Sequence, residues 1–170
     1  MIKYHYPIFK ENEMKVVNKG NGIFTVEMEN ERDTVVPKSL FYKNQEAEEI
    51  HFPEGIKIIN DEAMCFCYSL RKVYLPATVE QLRHGIFYGI SAHKIEVYFD
   101  GSVTRFKKIS RPYKETVSVN IPGPYDGYPY YNTDGSYNED RVETRHFDAF
   151  CSEIEVICNN DQKLYYGYSK

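Results

Sequence analysis

Cys65 and Cys67 stand two residues apart in AMCFCYSL, a spacing at which two thiolates can reach one metal ion. A closed zinc site needs four such ligands. No second Cys or His pair lies near them, and Cys151 and Cys158 are separated by six residues. The sequence therefore points to no metal site and no cofactor. A second stretch, RHFDAFC, supplies His146, Asp148 and Cys151, the base, orienting acid and thiol of a cysteine-dependent hydrolase. Nucleophile and base usually come from separate parts of a fold, so crowding within one segment is weak support. The hydrolase reading therefore ranks below a non-catalytic one. His84 and His93 fall in turns and are expected on the surface.

Two further constellations suit binding better than catalysis. RFKKISRPYK places Arg105, Lys107, Lys108, Arg111 and Lys114 beside Phe106 and Tyr113. Cations interleaved with flat rings are what single-stranded nucleic acid or another phosphorylated partner requires. Against that stand Glu139, Asp140 and Glu143 downstream, a net charge of −4 and a pI near 5.8, which disfavour a general nucleic-acid or anionic-membrane binder. An anionic protein surface is at least as good a target for Lys107, Lys108 and Arg111. Next comes IPGPYDGYPYYNTDGSYNED, where Tyr125, Tyr128, Tyr130, Tyr131 and Tyr137 sit among Gly, Pro, Asn and Asp. Tyrosine brings contact area at little rotamer cost, and small polar neighbours adapt, so this composition reads as a protein-binding loop. The alternatives are a cap on the rest of the fold or a disordered segment.

The elements that position these groups follow from a repeat. Glu49-Ile50-His51-Phe52 returns as Lys72-Val73-Tyr74-Leu75 and again as Glu96-Val97-Tyr98-Phe99, at spacings of 23 and 24. A fourth such signal, Glu155-Val156-Ile157-Cys158, follows the Tyr-rich stretch. A period in this range marks stacked repeats. Strand side chains alternate in direction. With Ile50, Val73, Val97 and Val156 inward, Phe52, Leu75, Phe99 and Cys158 are inward as well. The outer face then carries His51, Tyr74, Tyr98 and Ile157 beside Glu49, Lys72, Glu96 and Glu155. Tyr74 and Tyr98 would stack on adjacent strands, about 5 Å apart, either as a contact surface or as cross-strand pairs with no partner. Upstream, KVVNKGNGIFTVEME reads as a hairpin near Asn21-Gly22. DTVVPKSLFYKN reads as a degenerate first repeat, with Val36-Pro37 in the place of Phe52-Pro53.

The run IHFPEGIKIINDEAMCFCYSLRKVYLP resembles the BspA-like leucine-rich repeat, roughly L-x-x-I-x-L-P-x-x-[VI]-x-x-I-x-x-x-A-F-x-x-C. Pro53, Ile56, Ile59, Ala63, Met64 (in the Phe place), Cys67 and Leu70 match, and the next unit matches at Pro76, Val79, Leu82 and Phe87, with Ile90 replacing Cys. The resemblance covers about residues 47–110, with 147–160 as a last strand. It implies a right-handed solenoid with short parallel strands on one side and turns or short helices on the other. It also implies that Cys67 fills the small buried position of the repeat. Many family members are long, exported surface proteins, whereas this chain is short, so an adhesin role is not expected.

The expected architecture is a β-rich α/β fold: a short right-handed leucine-rich-repeat solenoid with parallel strands, an N-terminal β segment and a Tyr/Pro/Gly-rich insert. Residues 1–46 form the N-terminal β segment or cap, 47–111 the repeats, 112–145 the insert, and 146–170 the last strand and C-terminal cap, all in one compact domain. The expected function is non-catalytic recognition of a protein partner, as a modulator or inhibitor docking on a larger protein. The structural alternative is a homo-oligomer assembled through strand edges or the ladder face. The opening MIKYHYPIFKENEMKVV lacks a continuous apolar core and a small-residue cleavage site. No apolar run approaches the ~18 residues of a spanning helix. A cytoplasmic protein with four reduced thiols and no membrane partner is expected.

Overall fold

A strand that is apolar on one face only must find cover, and here the cover is the next copy of itself. The computed structural model describes residues 14–90, 93–111, 113–119, 141–147 and 153–166. In chain order the elements are β1 (Met14–Gly20), β2 (Ile23–Met28), β3 (Val35–Val36), β4 (Glu49–His51), β5 (Ile58–Ile59), β6 (Lys72–Leu75), β7 (Gln81–Leu82), β8 (Ile95–Phe99), α1 (Val103–Ile109), β9 (Tyr113–Val119), β10 (Arg141–Phe147), β11 (Ile154–Cys158), a 3₁₀ turn (Asn159–Asp161) and β12 (Lys163–Tyr166). They fall into two units. One comprises residues 1–111 and 148–170, the other 112–147.

In the first unit the main sheet runs β1-β2-β4-β6-β8-β11-β12. Its middle is parallel and in register: Ile50 pairs with Val73, Val73 with Val97, and Val97 with Val156. The fourth strand signal therefore joins the ladder directly after the third. Antiparallel strands close both edges, β1 on β2 through the turn at Gly20, Asn21 and Gly22, and β12 on β11. A second, three-stranded parallel sheet, β3-β5-β7, faces it from the far side of each repeat. There Val36 pairs with Ile59 and Ile59 with Leu82. Val36 is thus the counterpart of Ile59 and Leu82 and not, as its Val-Pro dipeptide suggests, of Phe52. A valine before proline satisfies either position sterically, and the 23-residue register decides between them.

Between the sheets lie rows of equivalent side chains, all buried: Phe41, Met64 and Phe87; Ile56 and Val79; Ala63 and Ile86; Leu70 behind Ala47. The ends of the stack are sealed by aromatic edges. Phe41 lies between Phe24 and Phe52, at centroid distances of 6.4 and 6.3 Å, and Phe106 of α1 meets Phe99 at 5.3 Å. Helix α1 starts on a Ser102 side chain that accepts the Arg105 N–H, and it buries Phe106 and Ile109. Lys107 and Lys108 occupy its last turn, where cations favour the helix dipole.

The turns repeat as strictly as the strands. Ser39, Glu62 and Gly85 have positive φ, and so do Lys43, Phe66 and Gly89, each set at the 23-residue interval. A left-handed backbone costs an ordinary residue roughly 1–2 kcal/mol. The offset comes from the neighbouring turn: Phe41, Lys43, Met64 and Phe66 each donate a backbone N–H to the carbonyl of Ala63, Cys65, Ile86 and Tyr88 respectively, at 2.8–3.1 Å.

In the second unit, β9 and β10 pair antiparallel over seven residue pairs, from Tyr113↔Phe147 to Val119↔Arg141. KETVSV and RVETR alternate as strands should, a signal outweighed at the sequence level by the loop-like run between them. That run, with Tyr125, Tyr128, Tyr130, Tyr131 and Tyr137, lies outside the described residues.

Two glycines separate backbone strain from crowding. Gly20 (φ +90°) has open space where a Cβ would go, whereas a Cβ at Gly89 (φ +81°) would stand 2.4 Å from the Phe66 ring. Gly20→Ala is expected to cost about 1–2 kcal/mol. Gly89→Ala should cost a further ~1–3 kcal/mol from overpacking. Equal losses in denaturant melts would show that the ring moves freely aside.

Candidate functional site

In-register parallel strands lie about 4.8 Å apart, so flat side chains at equivalent positions must stack. They do. The His51 and Tyr74 rings are 4.1 Å apart at 5° between planes, and Tyr74 and Tyr98 are 4.7 Å apart at 9°. Each outer rung is steadied by an acid two residues earlier on its own strand. His51 Nε2 meets Glu49 Oε1 at 2.7 Å, and the Tyr98 hydroxyl donates to Glu96 at 2.9 Å. Lys72 pairs in register with both Glu49 and Glu96, so the charges alternate along the ladder. The hydrogen bond to Glu96, then burial, pushes the Tyr98 phenol up to about 12. Burial, then the Glu49 carboxylate, raises that of Tyr74.

On β11 the pattern changes. Ile157 occupies the ring position, in register with Tyr98. Glu155 occupies the acid position with its side chain only 7% exposed. It accepts from Lys94 at 2.6 Å, Tyr165 at 2.8 Å and Lys163 at 3.0 Å. Those bonds hold its carboxyl down at about 2. Beside Tyr98 and Ile157, at the C-terminal ends of the strands, opens a shallow hollow of about 530 Å³. Phe52, Leu75 and Phe99 contribute apolar lining, while Glu54, Asp100 and Asp161 supply carboxylates, and among the described residues no Lys or Arg takes part.

The other groups singled out in the sequence fall elsewhere. Lys107 and Lys108 are exposed on α1, and Arg111 is exposed just beyond it. Arg105 donates to the Val79 carbonyl at 3.3 Å. Cys65, Cys67 and Cys158 are buried. The Cys67 thiol donates to the Phe41 carbonyl at 2.9 Å, and burial pushes its pKa up to about 11. Burial also raises Cys158, and burial followed by the Glu62 carboxylate raises Cys65. A reactive or metal-binding thiol needs the opposite shift. Among the described residues no three of His, Cys, Asp and Glu converge as metal ligands. His146 lies on β10, while Asp148 and Cys151 lie outside the described residues. The histidines in the turns are half-buried, not exposed as the sequence suggests: the His93 ring reaches the Leu70 carbonyl at 2.6 Å, and the His84 backbone N–H donates to the Asp61 carboxylate at 3.0 Å. A turn in a stacked repeat is covered by the neighbouring turn, which loop composition does not reveal.

One aromatic surface escapes the sequence reading. On the turns, the Phe66 ring is edged by Tyr42, Tyr88 and Tyr68 at 5.9, 5.6 and 6.2 Å, and the three tyrosines are about half exposed. Tyr42 and Tyr88 lie two periods apart, which was the signal available.

Repeats of 23 residues, a parallel ladder on one side and stacked turns behind it define a leucine-rich-repeat solenoid. The chain matches the family model of the BspA type leucine rich repeat region (6 copies) over residues 31–122, more than half its length, and it belongs to that family. Neither a curated protein nor a solved structure matches it. Repeats of this family serve protein–protein interaction in general and are typically non-catalytic. Among the described residues, no helix is long and apolar enough to cross a membrane.

Two measurements probe these environments. Alkylation at pH 8 with peptide mapping should leave Cys65, Cys67 and Cys158 unmodified in the native protein and label all three after denaturation. Rapid native labelling of Cys67 would contradict its burial. The unfolded chain protonates Glu155 near 4.5, but the folded one only near 2. The unfolded state therefore binds more protons between those values, and the stability Glu155 contributes is complete above 4.5 and lost as pH falls toward 2. Glu155→Gln should be less stable at pH 7, and its unfolding should depend less on pH across that window than that of the parent.

Proposed function

We propose that the protein is a non-catalytic recognition module that binds a partner protein along the ladder face. The observation that supports this best is the stack of His51, Tyr74 and Tyr98. Rings already held in place lose little freedom on binding, so their contact area is used efficiently. The alternating charges beside them give the face a polarity that orients a partner. In this reading Lys107, Lys108 and Arg111 are further candidate contacts, and Tyr125, Tyr128, Tyr130 and Tyr131 of the insert are candidates of their own, named from the sequence. The protein acts as a modulator or inhibitor by occupying a larger protein.

A random peptide library panned on the parent protein and on Tyr74→Ala/Tyr98→Ala tests the reading, once melts show the variant folded. Peptides enriched on the parent should bind the variant at least tenfold more weakly, as loss of interface anchors implies. If every enriched peptide binds both equally, or none is enriched, the ladder is not a recognition surface.

A further inference from the structure

The ladder stops one strand short of the parallel sheet. Rings stand on β4, β6 and β8, and β11 then presents Ile157. Among the described residues no ring packs on Tyr98 other than Tyr74, so the outer face of Tyr98 borders the shorter aliphatic side chain. The hollow of about 530 Å³ runs along the strand ends past this place, with Tyr74, Tyr98 and Ile157 all in its lining. Its floor is apolar, and its rim carries Glu54, Asp100 and Asp161. The acids of the ladder have partners: Glu49 meets His51, Glu96 meets Tyr98, and Glu155 meets Lys94 and Lys163. Glu54, Asp100 and Asp161 form no ion pair among the described residues.

We infer that this hollow receives an arginine from an extended segment of the partner protein, its guanidinium lying against Tyr98 as the next plane of the stack. The inference rests on the recognition reading above and names the partner's chemistry. Three carboxylates with no cation among the described residues repel an anion, and a neutral ring would offer them neither charge nor a strong donor. Lysine carries the right charge, but its ammonium is compact, strongly hydrated and not planar. Guanidinium is planar, stacks on aromatic faces and donates paired hydrogen bonds to a carboxylate. Its methylene stem can cover the floor formed by Leu75 and Phe99. A charge tethered to a chain that also rests on the ladder reaches the hollow without the loss of translational freedom that a free ion suffers.

The peptides selected on the parent protein provide the test. Ladder-dependent peptides should share one arginine. Replacing it with citrulline, which keeps the shape and removes the charge, should weaken binding at least tenfold, and lysine should not restore it. Asp100→Asn/Asp161→Asn, checked for an unchanged melting temperature, should weaken the arginine peptide at least tenfold and leave the citrulline peptide unaffected. Ladder-dependent peptides that tolerate citrulline, or that bind the Asn variant as well as the parent, would overturn the arginine assignment and leave the recognition reading standing. If no peptide depends on the ladder, the recognition reading itself fails. If instead the protein alone dimerises, and the Asn variant does not, the hollow belongs to a second copy and the assignment is wrong.

Discussion

The structure depends on one constraint: every residue of a repeat lies beside its own counterpart, at the distance between hydrogen-bonded parallel strands. A row of side chains is therefore stable only if it tolerates contact with itself or with close relatives. Aliphatic rows meet this easily, and Val36, Ile59 and Leu82 show it in the sheet behind the turns. Aromatic rows meet it by stacking, as His51, Tyr74 and Tyr98 do. Charged rows meet it only by alternating sign, which explains Lys72 between Glu49 and Glu96. Where the alternation fails, at Glu155 beside Glu96, two lysines and a tyrosine hydroxyl gather on the second acid.

The same constraint explains how non-glycine residues keep left-handed backbones in the turns. Ser39 and Glu62 hold the conformation that Gly85 adopts freely, and Lys43 and Phe66 hold the one that Gly89 adopts. An isolated turn would relax. A turn whose amides bond to the next turn at every second residue cannot relax without breaking the neighbour's bonds as well. Glycine becomes obligatory only where the space is taken: Gly89 lies under the Phe66 ring, so at the third repeat the constraint is steric as well as conformational.

The strand rows were legible in the sequence because two periods coincide there, alternation within each strand and 23 residues between strands. The hairpin at Asn21 was legible from its glycines, and the buried role of Cys67 from the place it holds in the repeat. The sheet β3-β5-β7 was not. Its strands are two residues long, too short for alternation to register, and Val36 was assigned to the wrong row because proline follows it as it follows Phe52 and Leu75. The flanks of the insert, β9 and β10, carried strand alternation that the Pro- and Gly-rich run between them obscured. The hollow beside Tyr98 was invisible for a different reason. Glu54, Asp100 and Asp161 belong to three loops far apart in the chain, and only the stacking of the strand ends brings them to one place.

If the ladder face is the recognition surface we propose, the repeat also limits where recognition can be selective. Inside the stack Tyr74 has a ring on each face, and the acids Glu49 and Glu96 are engaged by His51 and Tyr98 on their own strands. A partner lying there gains area but displaces bonds already made, so the interior rungs favour many ligands about equally. At the end of the stack the repeat no longer supplies a counterpart. There Tyr98 borders Ile157 in place of a ring, three carboxylates form no ion pair among the described residues, and a mismatched group would leave them desolvated and unsatisfied. In the recognition reading we propose, discrimination therefore belongs to the place where the repeat breaks, between Tyr98 and Ile157, while the regular rungs would hold a segment long enough for that end to be read.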